Sequence, residues 1–283
     1  MIEINGQTAV YGIIGKPIGH TMSPAIHNMI SEAMGINAVY VPFTANDDLD
    51  SVVRGLYSLG VKGINVTVPY KTGVIERLHA VDDLAGRIGA VNTLKYTEDG
   101  YYGYNTDILG LSRELEEVGL SLKERDVVIL GAGGAARAVA FMCAGMEPSS
   151  VTIANRTVSR AEDILSDLSE YAAGLKTSAV STDELSHIAG SDLILFQCTN
   201  VGLSPRDDEC VVNDRDFFDK VYAGIDLIYK PAETMFMKYV KESGGRAYNG
   251  LKMLIYQAVS AYEIWNEVTV PADLINRIER ELK

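Results

Sequence analysis

The sequence predicts an α/β fold in two domains, and three observations carry that expectation. Short apolar strands alternate with amphipathic helices through the first third. The alternation restarts near residue 126, and a charge-rich helical stretch, "DILGLSRELEEVGL" (107–120), lies between the two blocks. Strands alternating with helices form mostly parallel sheets covered on their faces by helices. A length of 283 residues suits one large or two medium domains of about 100–200 residues each.

The elements follow in order. "TAVYGIIG" (8–15) is an apolar strand. In "SPAIHNMISEAMGI", Ser23 is expected as N-cap with Pro24 at the first helical position, where its missing N–H is harmless. "AVYVPF" (38–43) is the next strand, followed by a helix from about Asp47 to Leu59. In "KGINVTVPYK", Ile64, Val66 and Val68 form one apolar row, Asn65 and Thr67 the opposite row, and Pro69 stops the strand just before Lys71. Helical turns are expected through Leu84, and "NTLKYTEDGYYGY" reads as a hairpin turning at Asp99-Gly100, with Tyr101, Tyr102 and Tyr104 packing on it. The second block runs from "RDVVILGAGGAARAVAFMCAGM" to about Gly245. "NGLKMLIYQAVSAYEIWNEV" (249–268) is a long helix with a broad apolar stripe, followed by a short terminal helix. These last helices are expected to return to the first block, giving one discontinuous domain, 1–108 plus 249–283, and one continuous domain, 109–248.

Composition excludes several classes of function. Hydrophobic residues make up 47% of the chain, the ordinary share for a protein with packed cores. No apolar run approaches the roughly 20 residues of a membrane span, and no basic-then-apolar leader opens the chain. Cys143, Cys198 and Cys210 show no C-x-x-C spacing, so reduced thiols in a cytoplasmic protein are expected, with no disulfide framework and no metal site. A net charge of −13 argues against nucleic acid or an anionic membrane as partner. A small anion remains compatible, because local donors and helix N-termini hold anions whatever the net charge.

"VVILGAGGAARA" is the most specific local motif. An apolar strand (127–130) runs into Gly131-x-Gly133-Gly134 and directly into a small-residue helix, with a second strand, "SVTIAN" (150–155), completing a βαβ unit. Glycines permit a tight turn and close backbone approach, so that amides and the helix dipole hold a pyrophosphate. The second strand ends at Asn155-Arg156-Thr157 with Arg160 nearby, and no carboxylate appears before Glu162. An NAD site usually places an acidic residue there for the ribose hydroxyls, whereas a guanidinium grips a 2′-phosphate. A Rossmann-type domain that takes NADP is expected.

A dehydrogenase also needs an ionisable group to move a proton. Lys71, just beyond the strand end, and Asp107, in "GYNTD", are the candidates. Each has an ordinary alternative: Lys71 as a surface lysine, and Asp107 as the cap of the helix it precedes. His20 and His27 flank the Ser23 turn, but no third ligand or orienting acid clusters with them in sequence. Neither a metal pair nor a nucleophile is expected there, and His20 is expected to hydrogen-bond at the turn.

At these residues the chain resembles the shikimate dehydrogenase family (shikimate/quinate dehydrogenases). The resemblance is carried by "GKPIGHTMSPAIHN" (15–28), "GINVTVPYK" (63–71), "IGAVNTL" (88–94), "GYNTD" (103–107), "GAGGAARA" (131–138), "NRT" (155–157), "DLIYKPAET" (226–234) and "NGLKMLIYQA" (249–258), in that order. It implies reversible reduction of 3-dehydroshikimate to shikimate by NADPH, in aromatic amino-acid biosynthesis, with substrate in the discontinuous domain, cofactor in the other, and a cleft between them. It implies Lys71 and Asp107 as the catalytic pair. Thr21 and Ser23 would hold the substrate carboxylate, Asn65, Thr67, Asn92 and Gln257 would bond its polar groups, and Tyr229 would contact it. Gly131, Ala132, Gly133, Gly134 and Ala135 would lie along the pyrophosphate, Asn155, Arg156, Thr157 and Arg160 around the 2′-phosphate, and Thr199 and Gly250 would complete the cofactor site. The expected state is monomer or homodimer.

Two departures from the family pattern stand out. Thr21 replaces a serine, adding a methyl that narrows that end of the pocket. "FQCTNVGLSP" (196–205) carries Gln197-Cys198-Thr199-Asn200 where Asn-Ala-Thr-Ser is usual, with Leu203 in place of methionine. Broader use of quinate or NAD, or a catalytically silent nucleotide sensor on the same fold, are the alternative readings.

Overall fold

The computed structural model describes residues 4–45, 48–212 and 214–283. It divides into two compact units, residues 1–111 with 254–283, and residues 112–253.

The first unit contains β1 (Ala9–Gly15), α1 (Ser23–Met34), β2 (Ala38–Thr44), α2 (Leu49–Ser58), β3 (Gly63–Val66), β4 (Ala80–Val81), α3 (Asp83–Ile88), β5 (Thr93–Thr97), β6 (Gly100–Tyr104) and the start of α4 (Thr106–Glu117). Its sheet has the order β2-β1-β3-β5-β6-β4. β1 lies parallel to both β2 and β3, while β5 is antiparallel to β3 and β6. Side chains alternate across the pleat, so each strand feeds two cores. Ile14, Ile64, Val66 and Leu94 pack on one face, and Tyr11, Ile13, Tyr40 and Trp265 on the other. Each such side chain, buried, stabilises by about 1.5–3 kcal/mol.

Several sequence expectations change here. Ser23 is not the N-cap of α1 but its first residue; Met22 precedes it, and the Met22 carbonyl accepts the first helical bond, from the Ile26 N–H at 3.2 Å. β3 ends at Val66, and Val68 is 67% exposed rather than part of the apolar row. β3 is a central strand between β1 and β5 and all four of its residues are buried, so Asn65 lies inside like its apolar neighbours. The expected helix to Leu84 is instead a single 3-10 turn (Ile75–Arg77), β4 and then α3, whose start is capped by the Asp82 carboxylate. Asp48 caps α2 through the Ser51 N–H; Asp47, expected to begin that helix, lies outside the described residues. His20 is exposed and makes no hydrogen bond among the described residues, contrary to its expected role at the turn.

The second unit contains β7 (Asp126–Leu130), α5 (Gly134–Ala144), β8 (Ser150–Ala154), α6 (Val158–Tyr171), β9 (Lys176–Val180), β10 (Leu193–Gln197), β11 (Val221–Asp226), α7 (Met235–Glu242) and β12 (Arg246–Asn249). All strand pairs are parallel, in the order β12-β11-β10-β7-β8-β9. This is the doubly wound Rossmann order, in which the strand order reverses between β7 and β10; ligands of such sheets bind at the carboxyl ends of those strands. α8 (Leu251–Asn266) and α9 (Ala272–Leu282) end the chain. No helix among the described residues is long and apolar enough to cross a membrane.

Candidate functional site

Two groups of functional side chains emerge, one in each unit. In the first unit the loop after β3 delivers Lys71, and the start of α4 delivers Asp107. Lys71 Nζ donates to Asp107 Oδ2 at 2.7 Å, with both side chains partly shielded at 31% and 20% exposure. Asn92, at the entrance to β5 and 2% exposed, donates through Nδ2 to Asp107 Oδ1 at 2.9 Å. Asp107 is therefore not the cap of α4. Asn105 Oδ1 accepts from the Asp107 N–H at 3.1 Å, which leaves the Asp107 carboxylate for the amine and the amide.

Behind this group lies a closed polar network. Asn92 Oδ1 accepts from the Thr106 N–H at 2.7 Å and lies 3.0 Å from Thr93 Oγ1. Asn65 donates to Thr93 Oγ1 at 3.0 Å and to the Asn92 carbonyl at 3.2 Å, and accepts from the Tyr40 hydroxyl at 2.8 Å. Tyr40, Thr93 and Thr106 were not singled out by sequence; the available signal was the repeated Asn-Thr pair at 92–93 and 105–106. His27 stacks on Tyr40 with ring centroids 4.1 Å apart. It is 1% exposed, neither ring nitrogen has a hydrogen-bond partner among the described residues, and burial pushes its pKa down to about 3.

Thr21 and Ser23 stand together at the start of α1. Thr21 Oγ1 donates to Ser23 Oγ at 3.2 Å, and no side chain caps the helix. Thr67 is half-buried beyond the end of β3. Gln257, on α8, donates to the Leu254 carbonyl of its own helix at 2.9 Å. Tyr229 is half-buried in the second unit, in the loop after β11.

In the second unit Gly131 follows β7 with φ +105, a conformation that strains any L side chain; a Cβ there would also press on the Thr199 methyl at 3.0 Å. Gly133, Gly134 and Ala135 are exposed, Ala132 is half-exposed, and no side chain caps the N-terminus of α5 at Gly133. Beyond β8, Arg156, Thr157 and Arg160 are exposed, and neither arginine has an ion-pair partner among the described residues. Asn155 braces that turn by donating to the Thr157 carbonyl at 2.9 Å. Uncapped amides at a helix N-terminus beside unpaired guanidiniums fit the phosphates of a dinucleotide. Gly250 admits a close backbone approach, its N–H donating to the Ile228 carbonyl at 3.0 Å.

The divergent loop after β10 has its own brace. Gln197 is fully buried, accepts from the Thr199 N–H at 2.6 Å and donates to the Val201 carbonyl at 2.9 Å. The longer amide thus ties the turn at both ends. Beside β10, Asp226 is fully buried, and burial lifts its pKa to about 6, against hydrogen bonds from the Thr234 hydroxyl at 2.6 Å and the Ile228 N–H at 3.0 Å. No cluster that could hold a metal ion occurs among the described residues.

Family models match three stretches of the chain. The model described as "Shikimate dehydrogenase substrate binding domain" matches residues 13–94, "Shikimate / quinate 5-dehydrogenase" matches 113–203, and "Shikimate 5'-dehydrogenase C-terminal domain" matches 250–277. The shikimate dehydrogenase (NADP(+)) of Methanobrevibacter smithii is 38% identical over 98% of this chain and 98% of its own. A shikimate dehydrogenase crystallised with NADP+ superposes with a TM-score of 0.88 at 36% identity, covering 99% of this chain and 97% of that one. The Listeria monocytogenes enzyme, in complex with shikimate and NAD, gives 0.91 at 29% identity, covering 99% and 98%. With domain matches in both units and near-complete coverage of relatives above 30% identity, this chain belongs to the shikimate dehydrogenase family.

Proposed function

We propose that this protein is an NADP-dependent shikimate dehydrogenase of the cytoplasm, reversibly reducing 3-dehydroshikimate to shikimate. The observation that carries the reading is the Lys71–Asp107 pair at 2.7 Å, with the second carboxylate oxygen held by Asn92. The ring carboxylate is assigned to the Thr21 and Ser23 hydroxyls at the uncapped start of α1, where the helix dipole adds partial positive charge. Thr67, Asn92, Gln257 and the remaining lone pair of Asn65 supply short neutral partners for the carboxylate and hydroxyls, and Tyr229 supplies a further contact.

Bound NADPH supplies the hydride. The chain's task is to receive the negative charge that grows on the substrate carbonyl oxygen as its carbon is reduced. The Lys71 ammonium stabilises that oxygen and transfers a proton to it, becoming a neutral amine, while Asp107 holds Nζ in place. In the alcohol-oxidising direction the same lysine starts neutral and takes the hydroxyl proton, so oxidation accelerates as pH rises. Gly131 to Ala135 and the start of α5 are assigned to the pyrophosphate, with Thr199 and Gly250 beside them. Asn155, Arg156, Thr157 and Arg160 are assigned to the 2′-phosphate.

A second reading, broader use of quinate or NAD, is favoured by Thr21 and opposed by Arg156. Purified protein assayed with shikimate and with quinate, each with NADP and with NAD, separates the two. Turnover confined to shikimate and NADP is expected. Dominant quinate or NAD turnover establishes the second reading, and activity with no pair sinks both.

A further inference from the structure

We infer that Tyr40 and Thr93, neither of which is assigned a role above, are positioning residues for the Lys71–Asp107 pair; the inference rests on the catalytic reading of that pair. Tyr40 is 2% exposed and Thr93 is fully buried, so both act from behind the site.

Asn65 has two N–H groups, and both are spent, on Thr93 Oγ1 and on the Asn92 carbonyl. Its oxygen receives the Tyr40 hydroxyl proton. Turning this amide over would set its oxygen against the Asn92 carbonyl, so the two partners together allow one orientation. Thr93 Oγ1 already accepts from Asn65, and its own proton goes to Asn92 Oδ1 at 3.0 Å or to Thr106 Oγ1 at 2.9 Å. In the second case Thr106 Oγ1 passes its own proton to the same Asn92 oxygen at 3.1 Å. Either way Asn92 Oδ1 is held inward, and Nδ2 is left facing Asp107 Oδ1. The carboxylate is thereby oriented with Oδ2 toward Lys71 Nζ.

Every donor in this chain points toward Asp107, which can only accept. In a buried setting a fully satisfied network of this kind fixes one arrangement, and a missing member leaves a buried polar group unpaired. Strand register builds it. Asn65 pairs directly with Thr93 across β3 and β5, and Thr93 with Tyr104 across β5 and β6, next to the Asn105-Thr106-Asp107 turn. Tyr40 is also fixed against α1: His27 stacks on its ring with centroids 4.1 Å apart, and Asn28 accepts from its N–H at 2.8 Å and donates to its carbonyl at 3.0 Å.

The test is steady-state shikimate oxidation with NADP by Thr93→Val, Thr93→Ser and Tyr40→Phe, alongside thermal melting of each. Misplacing a reacting group by about 1 Å can lower rate up to about a hundredfold. Thr93→Val is therefore expected to lose kcat by about tenfold to a hundredfold with KM for shikimate changed far less, and Thr93→Ser, which restores the hydroxyl, to recover most of it. Tyr40→Phe is expected to lose kcat by several-fold, because it removes the proton that holds the Asn65 oxygen. A folded Thr93→Val with wild-type kcat overturns the proposal, as does a fall in melting temperature with kcat unmoved. If Thr93→Val does not fold, Tyr40→Phe with wild-type kcat overturns it. Failure of the functional reading is distinguishable, because the wild-type protein would then turn over no shikimate at all.

Discussion

The polar groups of the two units are organised in opposite ways. In the first unit the polar side chains around Lys71 are bonded to one another: Tyr40, Asn65, Thr93 and Asn92 form a continuous buried chain that ends on the partly exposed Asp107. In the second, Gly133, Gly134, Arg156 and Arg160 are exposed, and the two guanidiniums lack ion-pair partners among the described residues. The difference follows from the work assigned to each. A group that must meet a reacting atom needs its position fixed beforehand. A group that grips a phosphate needs its donors free and gains by charge and number.

That comparison is broken most severely at its most ordered point. Lys71→Ala and Asp107→Ala are each expected to lower turnover by about 10²–10⁴-fold, the usual contribution of a positioned acid–base group, with little change in melting temperature. Stopped-flow or steady-state assays of NADPH formation measure it. Near-normal turnover in either variant removes that residue from the catalytic assignment.

The exposed group should respond differently. Arg156→Ala is expected to raise KM for NADP by about tenfold or more, as loss of a charge-assisted bond of about 1.5–3 kcal/mol implies, with kcat at saturation nearly unchanged and KM for NAD unaffected. An equal rise for both cofactors would show that Arg156 does not read the 2′-phosphate.

Each unit also buries a titratable group that matters in the acid range, His27 in the first and Asp226 in the second, and the two pull stability in opposite directions with pH. His27 has its folded pKa depressed to about 3 from the usual 6.5. Its contribution is complete above 6.5 and is lost as pH falls below it, because the unfolded chain then binds the extra proton. Asp226 has its folded pKa raised to about 6 from the usual 3.8. Its contribution is complete below 3.8 and is lost as pH rises through about 6. Between pH 7 and 5, urea unfolding should therefore show His27→Phe sparing the protein about 2 kcal/mol of acid destabilisation, and Asp226→Asn removing about 1 kcal/mol of acid stabilisation. Effects of the same sign in both variants would contradict the burial argument.

An effect of similar size is expected at Gly131. Alanine there meets both the positive φ and the Thr199 methyl at 3.0 Å, and is expected to destabilise by about 1–2 kcal/mol, measured by denaturant midpoint. A neutral substitution would mean that the turn relaxes freely.

Much of this was legible in the sequence, and what was not has a physical reason. The Gly131-x-Gly133-Gly134 turn was visible because backbone demands of that kind select glycine locally. The hairpin at 93–104 was visible from alternation and its turn residues. The depth of Asn65 was not, because it depends on β3 being flanked by β1 and β5, a fact of sheet order rather than of local pattern. For the same reason Val68 looked like core. Asp107 carried two local readings, cap or catalyst, and the cap reading failed because Asn105, two residues before it, takes the capping bond. Tyr40 and Thr93 belong to strands whose partners lie 25 and 28 residues from them in sequence, so no short motif could present them together.

The most direct test of the central claim is the pH dependence of shikimate oxidation with saturating NADP, run on the wild-type protein and on Lys71→Ala. The account predicts a wild-type rate that rises from mildly acidic to alkaline pH, as Lys71 becomes the neutral base, and a Lys71→Ala rate that is orders of magnitude lower and has lost that rise. A wild-type rate flat across the same range, or a variant that keeps both the rate and its rise, would contradict it.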